Sequence, residues 1–284
     1  MKRLARAHVA LIMSVSIMAT TNAMADEPSA VEQSVCGLLR EPFTFWLWSR
    51  AAGRPNPDAS RTVPNASSIK YKTKDGRLLR GYKLAGTAAG GAPLGSLLVA
   101  QGNAMLADQL LSELRTFAEA GIDVYIFDYR GYGNSEGKPR LKAIVSDYRE
   151  LFDYVGTVAP GKRLLYGISF GGVVLLNVIG SDIVFDRAVI DSSPGYVSHL
   201  GCPHDYDPAE NFPKNASGML VIAGTQDTVV SPADSRALID LAEARGGRAE
   251  VRAEYAHPFM DSDSRVHRER LEMIQTFLTG GSAR

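Results

Sequence analysis

A serine stands between two glycines at residues 167–171, which read Gly-Ile-Ser-Phe-Gly. The residues before them, Arg-Leu-Leu-Tyr, are typical of a short strand, and the apolar run that follows, up to Ile179, is typical of a helix. Such a strand, sharp turn and helix lifts the hydroxyl of Ser169 out of a sheet, and the glycines leave room where side chains would clash. The amide of Phe170, at the start of the helix, is placed to meet a developing oxyanion. Ser169 is therefore the predicted nucleophile.

A second Gly-x-Ser-x-Gly pattern occurs at residues 133–137. It follows the loop-like sequence Tyr-Arg-Gly-Tyr and leads into Lys138-Pro139-Arg140, where a proline and two charges argue against an immediate buried helix. This copy lacks the strand and the helix that expose a nucleophile. Ser135 is therefore predicted to be structural.

A serine is a weak nucleophile and needs a base within hydrogen-bond reach. The chain has five histidines. His257 follows the last predicted strand, at the carboxyl end of the sheet where ligands collect in open α/β folds, and it is the predicted base. The others lie in the N-terminal segment, in an irregular segment and on a predicted solvated helix face: His8, then His199 and His204, then His267.

An orienting carboxylate is expected beside the base, and two aspartates stand at strand ends. Asp227 directly follows a predicted strand and precedes the helix that Pro232 opens, whereas Asp191 ends the preceding strand. The chain order of serine, aspartate and histidine holds for both. We favour Asp227 and interpret Asp191 as a cap or turn residue.

A second oxyanion donor is expected from the loop after the strand at residues 97–100. This loop reads Gln101-Gly102-Asn103-Ala104, and Gly102 allows the backbone to approach an acyl carbon closely. The predicted donor is the amide of Asn103, with that of Ala104 as the alternative.

The elements that must position these residues alternate along the chain. Residues 69–85 predict a hairpin with its turn at Asp75-Gly76. Strand and helix patterns alternate from residue 96 onward, which predicts an α/β protein with a mostly parallel sheet and helices on both faces. The predicted strands are 96–100, 124–127, 163–166, 188–191, 219–223 and 249–255, and the predicted helices include 106–120, 141–155, 233–244 and 265–278.

The first 25 residues have the three parts of a cleavable export signal. Basic residues at the start precede an apolar run over residues 9–18, and Ala23-Met24-Ala25 provides a small-residue cleavage site. The run is too short to span a bilayer. The sequence thus predicts an exported protein, periplasmic or secreted.

Residues 26–67 form a predicted N-terminal extension. Within it, residues 31–50 carry apolar side chains at mostly helical spacing, including Trp46 and Trp48, and predict an aromatic helix kinked or split at Pro42. Packing on the main domain is the favoured interpretation. A lid or membrane-surface role stays open, although the basic face of such helices is missing.

Composition excludes several function classes. The chain has 284 residues with 31 basic and 31 acidic side chains, so nothing indicates a nucleic-acid partner. The two cysteines lack neighbouring histidines at ligand spacing, so no metal site is expected. Export would place Cys36 and Cys202 in an oxidising compartment, and either a disulfide between them or two free thiols is compatible with the sequence.

Together these motifs resemble those of the α/β-hydrolase-fold superfamily, and the resemblance extends from about residue 69 to the C-terminus. The landmarks are the loop at 101–104, the segment Phe-Asp-Tyr-Arg-Gly-Tyr-Gly-Asn-Ser at 127–135, the turn at Ser169, residues 224–227 and His257. The resemblance implies a hydrolase domain over residues 68–284, with 130–135 as a structural loop. One departure is Gln101, because the family usually has a histidine before the loop glycine.

The superfamily inserts its cap between the strand ending at Asp191 and the one beginning near Met219. Here the resemblance implies a short, proline-rich cap at residues 194–218 and an open cleft. Short-capped members with these motifs are commonly esterases. The sequence-based hypothesis is therefore an exported serine hydrolase, without cofactor or metal, that cleaves a small-molecule ester or thioester. The alternatives are a peptidase, an acyltransferase or a catalytically silent binding protein on the same fold.

Overall fold

A computed structural model, which describes residues 35–87 and 91–281, contains an eight-stranded sheet. The predicted export signal at residues 1–25 lies outside the described residues. In chain order the strands are β1 (Ala66–Lys72), β2 (Leu78–Leu84), β3 (Gly95–Ala100), β4 (Ile122–Phe127), β5 (Lys162–Ile168), β6 (Arg187–Asp191), β7 (Met219–Gly224) and β8 (Arg248–Arg252).

The strands lie side by side in the order β1-β2-β4-β3-β5-β6-β7-β8. β1 and β2 pair antiparallel, as does β2 with β4, and every later pair is parallel. The predicted hairpin and mostly parallel sheet are confirmed. Because the strands from β3 to β8 run in one direction, the loops at their carboxyl ends meet at one edge.

Helices cover both faces of this sheet, as predicted. Every residue of β3, β4 and β7 is buried, which explains their nearly continuous apolar sequences. The helices of the described part are α1 (Arg40–Ala51), α2 (Ala59–Thr62), α3 (Leu111–Glu119), α4 (Leu141–Val158), α5 (Phe170–Ile179), α6 (Pro232–Ala244) and α7 (Ser264–Thr279). α4, α5 and α6 pack on one face of the sheet, and α3 and α7 pack on the other.

The N-terminal helix differs from its prediction. α1 begins only at Arg40, so Pro42 lies in its first turn and neither kinks nor splits it. A proline there costs little, because the first amides of a helix have no intrahelical acceptor. Phe45 faces inward and is 1% exposed. It belongs to the core cluster that also contains side chains of α4 and α5. The inner face of α1 is therefore core, while Phe43 and Trp46 face outward.

A disulfide joins Cys36 to Cys202, 166 residues apart in sequence. The amide of Val35 adds a hydrogen bond of 2.6 Å to the carbonyl of Leu200. The sequence is compatible with a disulfide or with two free thiols, and the structure has the disulfide. It fastens the start of α1 to the segment between β6 and β7, which contains only short 3-10 helices at Ser198–Leu200 and His204–Tyr206.

Candidate active site

Ser169 occupies a strained turn between β5 and α5. Its φ of 53° lies in the left-handed region, which non-glycine residues adopt rarely. A Cβ on Gly167 would lie 2.7 Å from the Cα of Gly172, and one on Gly171 would overlap the carbonyl of Ala100. The two glycines are therefore required by close backbone approach, as the sequence pattern indicated.

The loop after β3 lies against this turn. A Cβ built on Gly102 would be 3.8 Å from the Cβ of Ser169. Across residues 35–87 and 91–281, no hydrogen bond uses the amides of Asn103, Ala104 or Phe170. These amides have the free donors that an oxyanion site needs, and Asn103 and Ala104 both stay candidates for the second donor.

His257 and Asp227 are hydrogen-bonded. The Nδ1 of the His257 ring lies 2.8 Å from Oδ2 of Asp227. The Asp227 side chain is fully buried, whereas 13% of the histidine side chain is exposed. The other carboxylate oxygen, Oδ1, accepts the amides of Val229 and Val230, each at 2.8 Å. The carboxylate is thereby fixed in the orientation that holds the imidazole.

Opposing effects act on the pKa of Asp227. Burial alone would raise this pKa, but the hydrogen bond and charge of His257, together with the amides of Val229 and Val230, lower it below its ordinary value. Asp227 is therefore ionised at neutral pH. An ionised carboxylate at Nδ1 stabilises the imidazolium that forms when the histidine accepts a proton.

Ser169, Asp227 and His257 follow three different strands and lie at the carboxyl edge of the sheet. Ser169 follows β5, Asp227 follows β7, and His257 follows β8. Among the described residues no hydrogen bond joins the Ser169 hydroxyl to the His257 ring. Hydrogen bonds of this kind are often long in unliganded enzymes and tighten only with substrate.

Asp191 is not the cap or turn residue that the sequence suggested. Its carboxylate is fully buried at the end of β6, where Oδ2 accepts the hydroxyl of Tyr166 at 3.3 Å and lies 3.8 Å from Nε of Arg270. The interpretation was wrong because Arg270, 79 positions further on, gives no local signal of reaching this strand end.

His267 is not on a solvated face either. Its Nε2 lies 3.3 Å from Oε2 of Glu113, its Nδ1 lies 3.7 Å from Oδ2 of Asp261, and its ring packs on Phe259. Burial alone would lower the pKa of His267, but the two carboxylates raise it to about 9. The charged residues around His267 in the sequence indicate a solvated helix face. In the fold, α7 packs on α3 at this position, which half-buries the side chain.

The raised pKa of His267 makes a stability prediction. A folded-state pKa of about 9, against an ordinary value of 6.5, stabilises the fold fully below about pH 6.5, and this contribution is lost as pH rises through 9. His267→Gln should therefore lower the free energy of unfolding in urea most below pH 6.5 and least above pH 9. Glu113→Gln should reduce the same pH-dependent difference. A difference between wild type and His267→Gln that stays constant from pH 5 to 10 would contradict the assignment.

Phe170 packs against aromatic side chains of the N-terminal helix, a contact that the sequence did not predict. The Phe170 ring lies 5.6 Å from that of Phe45, 6.0 Å from that of Trp48 and 5.6 Å from that of Tyr129, between centroids. Phe170 directly follows Ser169 in sequence. α1 therefore packs directly against the residue after the nucleophile candidate.

Two other sequence landmarks have structural roles. The Gln101 side chain is buried, and its amide donates to the carbonyl of Phe127 at 3.0 Å, so it braces β3 against β4. The Ser135 hydroxyl accepts the amide of Arg80 and donates to the carbonyl of Asp128, each at 2.9 Å. In agreement with its prediction, Ser135 is engaged in the fold.

The described residues contain no cluster of histidine, cysteine or acidic side chains that could hold a metal ion. Nor does this part of the chain contain a helix long and apolar enough to cross a bilayer. The two remaining described histidines lie in the segment between β6 and β7: His199 packs on Tyr196, and His204 contacts Asp207.

Known proteins are similar to this chain in sequence and in fold. Residues 91–212 match the family model described as serine aminopeptidase, S33. Uncharacterized protein Rv2307c of Mycobacterium tuberculosis is 26% identical over 271 residues, which cover 87% of this chain and 93% of that protein. Polyketide transferase claH of Penicillium crustosum is 30% identical over 128 residues, or 42% of each chain.

Solved structures share the fold at low sequence identity. An α/β hydrolase from Vibrio vulnificus superposes with a TM-score of 0.66 at 16% identity, covering 91% of this chain and 99% of that one. The Pyrococcus furiosus esterase Pf2001 gives 0.63 at 17% identity, covering 81% and 97%. The chain has the α/β-hydrolase fold, as its motifs predicted.

Proposed function

We propose that this protein is an exported serine hydrolase that cleaves carboxylic esters or thioesters. The observation that carries the proposal is the 2.8 Å hydrogen bond between a fully buried Asp227 and His257, at the edge where Ser169 occupies its strained turn. A buried carboxylate bound to an imidazole beside an elbow serine is the arrangement that activates a hydroxyl for acyl transfer.

In the proposed reaction, the Oγ of Ser169 attacks the acyl carbon while His257 accepts the hydroxyl proton. Asp227 orients the imidazole and stabilises its cationic form. The amides of Phe170 and Asn103 hold the oxyanion of the tetrahedral intermediate. The intermediate collapses as His257 donates its proton to the leaving alkoxide or thiolate, and water then releases the acyl group by the same steps.

Export is a part of the proposal that two observations support. Residues 1–25 have the pattern of a cleavable signal. The disulfide between Cys36 and Cys202 forms and persists in an oxidising compartment such as the periplasm or the exterior. We therefore assign the mature protein to the periplasm or the medium.

Two related activities start from the same acyl-enzyme. The family model is described as an aminopeptidase, and claH is a polyketide transferase. Amide cleavage differs in its leaving group, and transfer differs in that an alcohol replaces water in the second half-reaction. A protein without an activated serine, which only binds ligands on this fold, is the alternative of another class.

The test is a fluorophosphonate reaction, because this probe reports an activated serine without any choice of substrate. The protein from residue 26, with its disulfide formed, should gain one adduct, which a tryptic digest should place in residues 164–187 and tandem spectra at Ser169. The other Gly-x-Ser-x-Gly serine falls in residues 131–140 and should remain unlabelled. Esters, thioesters and amides of one acyl group, with and without an added alcohol, then separate the reaction types. A folded protein that gains no adduct would favour the binding protein.

A further inference from the structure

Three charged side chains are buried together behind the loop that carries His257. The side chain of Arg270, on α7, is 1% exposed, and the carboxylates of Asp191 and Asp261 are equally inaccessible. Removing charges from water costs several kcal/mol for each ion, which an ion pair offsets only with good geometry and added hydrogen bonds. Hydrophobic side chains would fill this space at a lower free-energy cost. Stability alone therefore does not explain why these three buried side chains are charged.

On one side, Arg270 holds the residue that precedes His257. Its Nη2 donates to the carbonyl of Ala256 at 2.8 Å, and its Nη1 lies 3.3 Å from Oδ2 of Asp261. Oδ1 of Asp261 in turn accepts the amide of Ala256 at 2.9 Å. Both backbone polar groups of Ala256 are thereby fixed by the one ion pair.

The Arg270 guanidinium also contacts Tyr255, the residue before Ala256. It lies over the ring of Tyr255, with its carbon 4.2 Å from the ring centroid. The carbonyl of Tyr255 accepts the amide of Gln226 at 3.0 Å, next to Asp227. Arg270 therefore contacts both residues that precede His257. The backbone of Tyr255 connects this loop to the loop that carries Asp227.

On its other side, Arg270 reaches the strand beside the nucleophile. Its Nε lies 3.8 Å from Oδ2 of Asp191, and the backbone carbonyl of Asp191 accepts the amide of Ser169 at 2.8 Å. One side chain thus connects the backbone next to the candidate base with the residue that supports the candidate nucleophile.

We propose that Arg270 is a positioning residue that sets the place of the His257 ring relative to Ser169. The inference rests on the proposed function and adds a residue to it. Arg270 touches neither reacting group and acts through the backbone of Ala256. A displacement of about 1 Å in a reacting group costs on the order of 100-fold in rate, so loss of this clamp should reduce kcat far more than it changes KM.

A simpler role must be separated from positioning, namely neutralising the buried charge of Asp191. The double variant Asp191→Asn/Arg270→Met removes the charges of Asp191 and Arg270 and leaves the carbonyl of Ala256 without its donor, while Asp261 keeps the amide of Ala256 and its contact with His267. If neutralisation is the whole role, the double variant regains both stability and kcat. If Arg270 positions the loop, the double variant regains stability while kcat stays low.

The experiment measures kcat, KM and Tm for these variants on the best ester found for the wild type. Arg270→Met should lower kcat by about 100-fold with KM changed less than about threefold. Arg270→Lys, whose ammonium cannot match the planar fork, should recover part of kcat. The double variant should be at least as stable as Arg270→Met and still about 100-fold slower than wild type.

Arg187→Met is the matched control. Arg187 also connects α7 to the sheet, since its guanidinium donates to the carbonyl of Phe277, but it does so at the start of β6, away from His257. This variant should lose stability and keep kcat. The proposal would be overturned if the double variant regained kcat to within about threefold, or if Arg187→Met lost kcat as strongly as Arg270→Met. If Arg270→Met does not fold, Arg270→Lys and the double variant decide by the same criteria.

A second readout does not depend on hydrolysis. A proton on Nδ1 of His257, donated to Asp227, is expected to give a downfield NMR resonance, which its loss in His257→Gln would assign. Arg270→Lys and the double variant should shift or broaden it, and Arg187→Met should leave it in place. An unaltered resonance in all of them would overturn the positioning role even if the wild type proved inactive, whereas failure of the fluorophosphonate reaction alone would count against the proposed function.

Discussion

Replacing Ser169 with alanine is expected to lower kcat for ester cleavage by about 10⁴-fold or more and to abolish the fluorophosphonate adduct. The free amides beside the turn would still bind an oxyanion, but no acyl-enzyme can form without the hydroxyl. Steady-state rates on the best ester, together with the intact mass after labelling, check this result. Alanine carries the same Cβ as serine and meets the same backbone strain at this positive φ, so the variant should keep the fold.

Ser135→Ala is the matched control for this prediction. It removes the serine of the second Gly-x-Ser-x-Gly sequence, whose hydroxyl makes two hydrogen bonds within the fold. We expect it to cost about 1–3 kcal/mol of unfolding free energy while kcat stays within a few-fold of wild type. Equal loss of rate in both variants, or an adduct that persists in Ser169→Ala, would rule out Ser169 as the nucleophile.

Removal of the disulfide is the second change with a large expected effect. Cys36→Ser/Cys202→Ser opens a covalent loop that spans a separation of 166 residues. Such a bond restricts the unfolded chain, and its loss should lower the free energy of unfolding by about 2–5 kcal/mol. Urea denaturation of both proteins, without reductant, measures the difference.

The same experiment with a reductant supplies the control. Reduction should bring the wild type down to the stability of the double variant and leave the variant unchanged. Because α1 packs on Phe170 through Phe45 and Trp48, loosening its attachment should also reduce esterase activity before global unfolding. Equal stability of the oxidised wild type and the variant would show that native packing alone fixes the start of α1.

Patterns local in sequence predicted most of the fold and the candidate site. A glycine pattern indicates Ser169 and a strand end indicates His257, because both signals lie within a few residues of each side chain. The parallel order of the strands followed from alternating strand and helix patterns, since a crossover between parallel strands leaves few arrangements. Asp227 was preferred over Asp191 on the same kind of local reasoning.

Features that depend on long-range packing were not predictable in this way. The role of Asp191 is set by Arg270, and the burial of His267 is set by Glu113, which lies on α3. The contact between Phe45 and Phe170 joins residues 125 positions apart. No periodicity in the sequence encodes such partners, because each partner is chosen by how the layers pack.

The bond between Cys36 and Cys202 also divides the molecule topologically. The chain between them is a covalent ring, and everything after Cys202 is a linear tail. Ser169 and all three candidate oxyanion amides lie in the ring, whereas Asp227 and His257 lie in the tail. In a chain that crosses a membrane from its N-terminus, the ring can close around the candidate nucleophile before the candidate base and its carboxylate partner have emerged. The complete site then forms only when β7 of the tail pairs with β6 of the finished ring and β8 pairs with β7.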